Sequence, residues 1–146
     1  GLNGQGRVAI VRTKGNPYGH IVLRGGDGRP NYDTVSVSMV EQALTKAKLP
    51  HNIVVDCSHA NSFKKPELQP LVMADIVNQI RLGNKSLVGV MIESNIEAGN
   101  QSIPADLSQL KYGSSVTDGC VAWETTEKMI RDAAVLLRDV LPERLG

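Results

Sequence analysis

Apolar and polar positions along this chain come in short blocks rather than one sustained period. Residues 7–13 (RVAIVRT) and 20–24 (HIVLR) are β-rich runs on either side of the cluster Lys14-Gly15-Asn16-Pro17-Tyr18-Gly19. Two such runs around a Gly/Asn/Pro turn predict a β-hairpin. Arg24 to Pro30 is a loop on composition. Met39, Ala43, Leu44 and Ala47 form a helical stripe over 33–48, blurred by Val35, Val37 and Val40. Asp33 or Thr34 suits its cap, and Pro50 ends it. Residues 52–56 (NIVVD) predict a short buried strand, followed by the polar run Cys57 to Ser62. A helix is expected from Pro66 to Leu82, with Leu68, Leu71, Val72, Ile76 and Ile80 on its apolar face and Gly83 at its stop. Residues 86–92 (SLVGVMI) are strand-like, with Glu93 at their end. A long loop over 95–117 leads to a last helix at 124–140, with Ile130, Ala133, Ala134, Leu137 and Val140 on one face and Pro142 as its stop.

The order is hairpin, helix, strand, helix, strand, loop, helix. Alternating helices and continuous apolar strands predict a parallel sheet covered by helices. The polar residues that close three of the strands, Arg24, His59 and Glu93, fall 35 and 34 residues apart. That is close to the ~30 residues of one βα unit. Parallel strands bring their C-terminal ends to one edge, where α/β barrels place their chemistry. A complete barrel needs ~250 residues, and about three βα units are present. The expected fold class is therefore α/β, as a partial (β/α)8 barrel or a small open sheet. The chain opens Gly1-Leu2-Asn3 without methionine and moves at once into a strand pattern. An internal piece of a longer chain, or a processed start, would look this way.

Composition narrows the function classes. Hydrophobic residues are 41% and charged residues 21% of the 146, as in an ordinary soluble domain. Aromatics at 3% disfavour a base-stacking platform. Sixteen Lys and Arg against fifteen Asp and Glu give a net charge of +1, so neither a nucleic acid nor an anionic membrane is an expected partner. No apolar run approaches the ~20 residues of a membrane helix. Cys57 and Cys120 lack metal-type spacing and are expected to be reduced thiols in a cytoplasmic protein.

Three residues stand out chemically. His59, just past a buried strand, can ligate a metal or shuttle a proton, or simply bond within its loop. Glu93, directly after an apolar strand, is costly to bury unless paired, protonated or metal-bound; otherwise it is a solvated strand end. Asp118, beside Gly119, reads alone as a turn residue. Together, one imidazole and two carboxylates on successive βα units suit Mn²⁺, Fe²⁺, Co²⁺ or Zn²⁺. Arg24 before Gly25-Gly26 is the anion candidate, against an ordinary arginine before a turn. Lys64, Lys65 and Lys111 read as solvated. Asp56 is expected to pair with a nearby base or hold a loop, and Trp123 to pack at the start of the last helix.

The runs His20-Ile21-Val22-Leu23-Arg24-Gly25-Gly26, Pro30-Asn31-Tyr32 and Asp56-Cys57-Ser58-His59-Ala60-Asn61-Ser62 have a specific likeness. So do Gly89-Val90-Met91-Ile92-Glu93-Ser94-Asn95, Glu97, Gly99-Asn100-Gln101, Tyr112-Gly113, Ser115-Val116-Thr117-Asp118-Gly119-Cys120 and Trp123-Glu124. In order and over nearly the whole chain, they resemble the microbial type I 3-deoxy-D-arabino-heptulosonate 7-phosphate (DAHP) synthases. The likeness covers only the C-terminal part of such an enzyme.

The resemblance implies that residues 1–146 are the C-terminal portion of one catalytic (β/α)8 barrel, with hairpin and strand at 7–24 and βα units over 25–146. It implies condensation of phosphoenolpyruvate with erythrose 4-phosphate, the first step of the shikimate pathway, and a divalent metal held by Cys, His, Glu and Asp. By motif match His59, Glu93 and Asp118 are the His, Glu and Asp ligands. The family cysteine lies on an early strand that no segment here matches; Cys57 and Cys120 do not occupy it. Arg24 matches the arginine that binds phosphoenolpyruvate, and Asp118 would also lie near the sugar hydroxyls as a catalytic residue. The missing N-terminal part of the barrel, a homo-oligomer, and an aromatic amino acid effector at the hairpin around Val8–Tyr18 are implied partners. Two alternatives are a related metal-dependent aldolase for another phosphosugar and a non-catalytic regulatory or binding module.

Overall fold

A computed structural model describes residues 1–144. Three short strands, β1 (Ile21–Leu23), β2 (Ile53–Asp56) and β3 (Leu87–Met91), form one parallel sheet in the order β1-β2-β3. Helix α1 (Thr34–Ala47) connects β1 to β2, and α2 (Gln69–Arg81) connects β2 to β3. Helix α3 (Trp123–Leu137) and the single turn α4 (Val140–Glu143) follow β3 after a long loop. This is the mixed α/β architecture that the apolar blocks imply.

Ile53 and Val55 of the central strand are fully buried, and Val54 between them is turned to the other face. Alternation of this kind is the pleat at work. Val37 and Leu44 of α1, Val72, Ile76, Val77 and Ile80 of α2, and Ala133 and Leu137 of α3 pack on Leu23, Ile53, Val55 and Leu87 as one core. Val22, Val88 and Met91 stay 40–54% exposed on the strands. The helical stripes sit slightly off the expected ones. In α1, Val37 and Leu44 are buried while Met39 is exposed; in α2, Val77 is buried and Leu71 exposed; in α3, Met129 is buried and Ile130 exposed. Of the residues that blur the α1 stripe, Val37 and Val40 face the core and Val35 does not, because a helix over a sheet buries an arc rather than a line.

The expected hairpin is not formed. Residues 7–13 are not a strand and do not pair with 20–24, and Val8 and Ile10 are about nine-tenths exposed (89% and 93%). The chain instead reverses at residues 3–6, where Asn3 Oδ1 accepts from the Gln5 and Arg7 N–H groups and Leu2 bridges Val8. The Asn16–Tyr18 turn closes on itself, with the Tyr18 N–H donating to Asn16 Oδ1. β1 finds its partner in β2, with the Ile21 N–H donating to the Asn52 carbonyl. An isolated two-stranded ribbon is marginal in water, so pairing with the covered sheet prevails. The last helix also differs in detail. It breaks at Arg138–Asp139, and Pro142 lies within α4 rather than stopping it.

Helix α1 has the clearest local cause. Asp33 Oδ1 accepts from the Val35 and Ser36 N–H groups, and the Ser36 hydroxyl donates to Oδ2 at 2.6 Å. These bonds, led by that from Ser36, hold the Asp33 carboxyl below its ordinary 3.8. Lys48, in the left-handed region, closes the other end. Asp33→Ala should lower the stability of the intact protein by about 1 kcal/mol in urea titrations at neutral pH. A lowered carboxyl pKa stabilises above the unfolded value and is lost as pH falls through the folded one. The difference between wild type and variant should therefore shrink below pH 3.8.

Candidate metal centre

The C-terminal ends of β2 and β3 are neighbours, which brings the residues after them together. His59 Nε2 lies 3.8 Å from Glu93 Oε1. Asp118 arrives from the long loop, and one donor atom from each of His59, Glu93 and Asp118 lies within 4.8 Å of the others. His59 and Glu93 are partly buried and Asp118 is exposed. Arg24 stands at the same edge, at the end of β1, with an exposed side chain and its carbonyl accepting from the Ala60 N–H. The three expected metal residues are thus brought together, with the expected anion residue one strand away.

Each donor is held by its own scaffold. His59 has φ +48°, a conformation that side chains other than Gly disfavour. Its Nδ1 lies 2.7 Å from Asp56 Oδ2, and Asp56 is 2% exposed. Asp56 is therefore the residue that pairs with a nearby base. The Glu93 backbone is clamped by the buried Gln69 amide: the Glu93 N–H donates to Gln69 Oε1 at 3.0 Å, and Gln69 Nε2 donates to the Glu93 carbonyl at 3.1 Å. The Ser58 hydroxyl donates to Glu93 Oε2. The Asp118 loop is tied across to Gly99-Asn100-Gln101. Gly99 and Cys120 exchange both backbone bonds, Asn100 Nδ2 donates to the Thr117 carbonyl, and the Gln101 N–H donates to the Ser115 carbonyl.

Gln69 carries no sequence signal beyond its place in a first helical turn, and nothing short of its burial marks it. Trp123, expected to pack, is 56% exposed.

The chain is 48% identical over all of its 146 residues to the Tyr-sensitive phospho-2-dehydro-3-deoxyheptonate aldolase of Escherichia coli, spanning 41% of that protein. It is 46% identical over 129 residues to the Phe-sensitive one of the same organism, covering 88% of this chain and 36% of that one. Its fold superposes on the solved phospho-2-dehydro-3-deoxyheptonate aldolase of Francisella tularensis with a TM-score of 0.84 and 43% identity, over 94% of this chain and 39% of that one. Residues 2–131 match the DAHP synthetase I family.

The chain belongs to the DAHP synthetase I family. It spans about two fifths of the length of these DAHP synthetase relatives. The resemblance read from its motifs therefore holds over nearly the whole chain. No helix among the described residues is long and apolar enough to cross a membrane.

Both cysteines are free thiols and neither belongs to the donor triad, although the Cys120 thiol donates to the Asp118 carbonyl at 3.7 Å. Burial, with a smaller push from the Asp56 charge, raises the Cys57 thiol to about 12. Burial also raises Cys120. Thiolate is the reactive form. Mass-spectrometric mapping at mildly alkaline pH should find Cys57 unmodified by iodoacetamide in the folded protein and modified once it is denatured.

Proposed function

We infer that these residues form the metal-binding side of a DAHP synthase active site in the C-terminal part of a (β/α)8 barrel. The reaction joins phosphoenolpyruvate, erythrose 4-phosphate and water into the seven-carbon product and inorganic phosphate. The convergence of His59, Glu93 and Asp118 within 4.8 Å carries this reading. An imidazole and two carboxylates fit a borderline divalent cation such as Mn²⁺, Fe²⁺, Co²⁺ or Zn²⁺. When bound, such an ion supplies Lewis-acid polarisation of the aldehyde. His59, through Nε2, and Glu93 and Asp118, through carboxylate oxygens, would hold it. Arg24 would take the phosphate or carboxylate of phosphoenolpyruvate through its planar fork. Gly25, which leaves no Cβ against Ala60, lets the loop after Arg24 close onto the loop that carries His59. Asp118, the exposed member of the triad, would meet the sugar hydroxyls.

Three parallel strands with two unpaired edges support residues 1–146 as one portion of a single barrel whose remaining strands belong to the full protein. Exposed Val8 and Ile10 support association with further protein surface, a second copy included. The relatives' Tyr- and Phe-sensitive names support an aromatic amino acid effector. Free thiols support a cytoplasmic setting.

The test is phosphate release by the intact protein from phosphoenolpyruvate with erythrose 4-phosphate, set beside other phosphosugar acceptors. Turnover should require erythrose 4-phosphate, stop on chelation, and return with Mn²⁺ or Co²⁺. His59→Gln should lower kcat/KM beyond the ~100-fold typical of losing a supporting residue. A preference for another phosphosugar, or chelator-resistant turnover, would overturn the reading. The 146 residues alone should be inactive, since two phosphates and a carboxylate need more cations at the site than Arg24 supplies. Robust turnover by that piece would contradict this.

A further inference from the structure

We propose that the turn Asp56-Cys57-Ser58-His59 is an orienting device that selects which atom of His59 and which oxygen of Glu93 face the metal position. This rests on the metal-centre reading above. Asp56 is buried, and its Oδ1 accepts the Ser58 N–H at 2.8 Å, which fixes the carboxylate. Oδ2 then lies 2.7 Å from His59 Nδ1 in a close but bent contact, so it acts through charge as much as through a hydrogen bond. A carboxylate can only accept, and a neutral imidazole has one N–H. The proton therefore sits on Nδ1, and Nε2, the nitrogen turned toward Glu93, keeps its lone pair.

Ser58 makes the second selection. It is 2% exposed, and its hydroxyl occupies Glu93 Oε2, leaving Oε1 as the oxygen nearest His59 Nε2. Glu93 is thereby restricted to one ligating oxygen. The backbone cooperates. The His59 carbonyl accepts the Lys64 N–H at 2.7 Å, and the Ala60 N–H donates to the Arg24 carbonyl, which together hold His59 at φ +48°. Asp56 and Ser58 are positioning residues that act through the two ligands.

The experiment uses ¹⁵N-labelled intact protein, metal-free, well above the ordinary imidazole pKa of about 6.5. Two-bond proton–nitrogen spectra report the tautomer, and His59→Gln assigns the signal. Wild type should show His59 protonated on Nδ1. In Asp56→Asn the Ser58 N–H still claims the side-chain oxygen, so the amide N–H₂ faces Nδ1 and drives the proton to Nε2. The tautomer should switch, and Co²⁺ affinity should fall ~10–100-fold. Ser58→Ala should leave the tautomer unchanged but free Oε2 for chelation, shifting the Mn²⁺-to-Zn²⁺ affinity ratio by about tenfold toward Mn²⁺. A wild-type His59 protonated on Nε2, an Asp56→Asn protein with unchanged tautomer and affinity, or a Ser58→Ala protein with an unchanged metal ratio would overturn the proposal. If Asp56→Asn does not fold, the wild-type tautomer and Ser58→Ala decide. Failure of wild type to bind Co²⁺ or Mn²⁺ would sink the metal-centre reading, while the tautomer in metal-free protein tests the role of Asp56 separately.

Discussion

The side chain of Asn61 joins the ends of two strands, and the geometry of the site follows from it. Its Nδ2 donates to the Leu23 carbonyl at 3.0 Å and to the Asp56 carbonyl at 2.8 Å, and its Oδ1 accepts the Asn31 N–H at 2.8 Å. Asn31 Oδ1 in turn accepts the Gly25 N–H. Where parallel strands stop, the ladder stops too, and carbonyls there need other partners. Leaving both buried carbonyls unmet would cost about 1–3 kcal/mol each. One amide meets both, and so fixes the level at which β1 and β2 hand over to the loops carrying Arg24 and His59. Gly25 belongs to the same device. At φ +74°, a Cβ there would lie 2.6 Å from the Ala60 Cβ, so the two loops close into one layer only with glycine at this position.

The third strand is joined to this layer by different means. Gln69 replaces the missing ladder partner of Glu93 with a side-chain amide, offering an acceptor and a donor to the same residue's backbone. Beyond it, the Glu93 carbonyl also accepts the Val121 N–H, which brings the far end of the 94–121 loop back to the strand it left. The paired segments at Gly99 and Cys120 then make a long loop behave as a short, braced one, and Asp118 sits next to that brace. A 28-residue excursion, 94–121, would otherwise be a poor carrier for a ligand whose position must hold to within an ångström.

This division explains which features were legible in the amino-acid pattern. β2, β3 and α2 follow from blocks of apolar residues that the sheet buries, and α1 from a cap that Asp33 fulfils atom by atom. The convergence of His59 and Glu93 follows from a regular βα spacing, because parallel strands admit one direction only. What was not legible depends on partners distant in sequence. Residues 7–13 carry strand-like composition, but composition names no partner, and among the described residues they pair with no strand although one edge of β1 stays open. Gln69 and Ser58 are ordinary polar residues until the fold places Glu93 against them. Periodicity points Met39, Leu71 and Ile130 inward, yet only the arc that meets the sheet is covered.

The price of the arrangement is backbone strain, and its location is informative. His59, Phe63 and Lys64 all have φ near +50°, three left-handed non-glycine residues within six positions. Such residues cost on the order of 1–3 kcal/mol each and persist only where their surroundings over-determine them. Here four backbone bonds do so: Ser62 to Ser58, Phe63 to Ala60, Lys64 to His59 and Lys65 to Ser62. Relaxing His59 to negative φ would swing its ring away from Asp56 and break this tight run. The apolar core cannot enforce such a conformation, because Phe63 and Lys64 are exposed and make no part of it. The precision of the donor set therefore comes from hydrogen bonds lying past the end of the sheet, where hydrophobic packing has already stopped. A substitution there need not lower stability to disturb the site. Relieving the strain could raise stability while moving the imidazole away from its carboxylate partner.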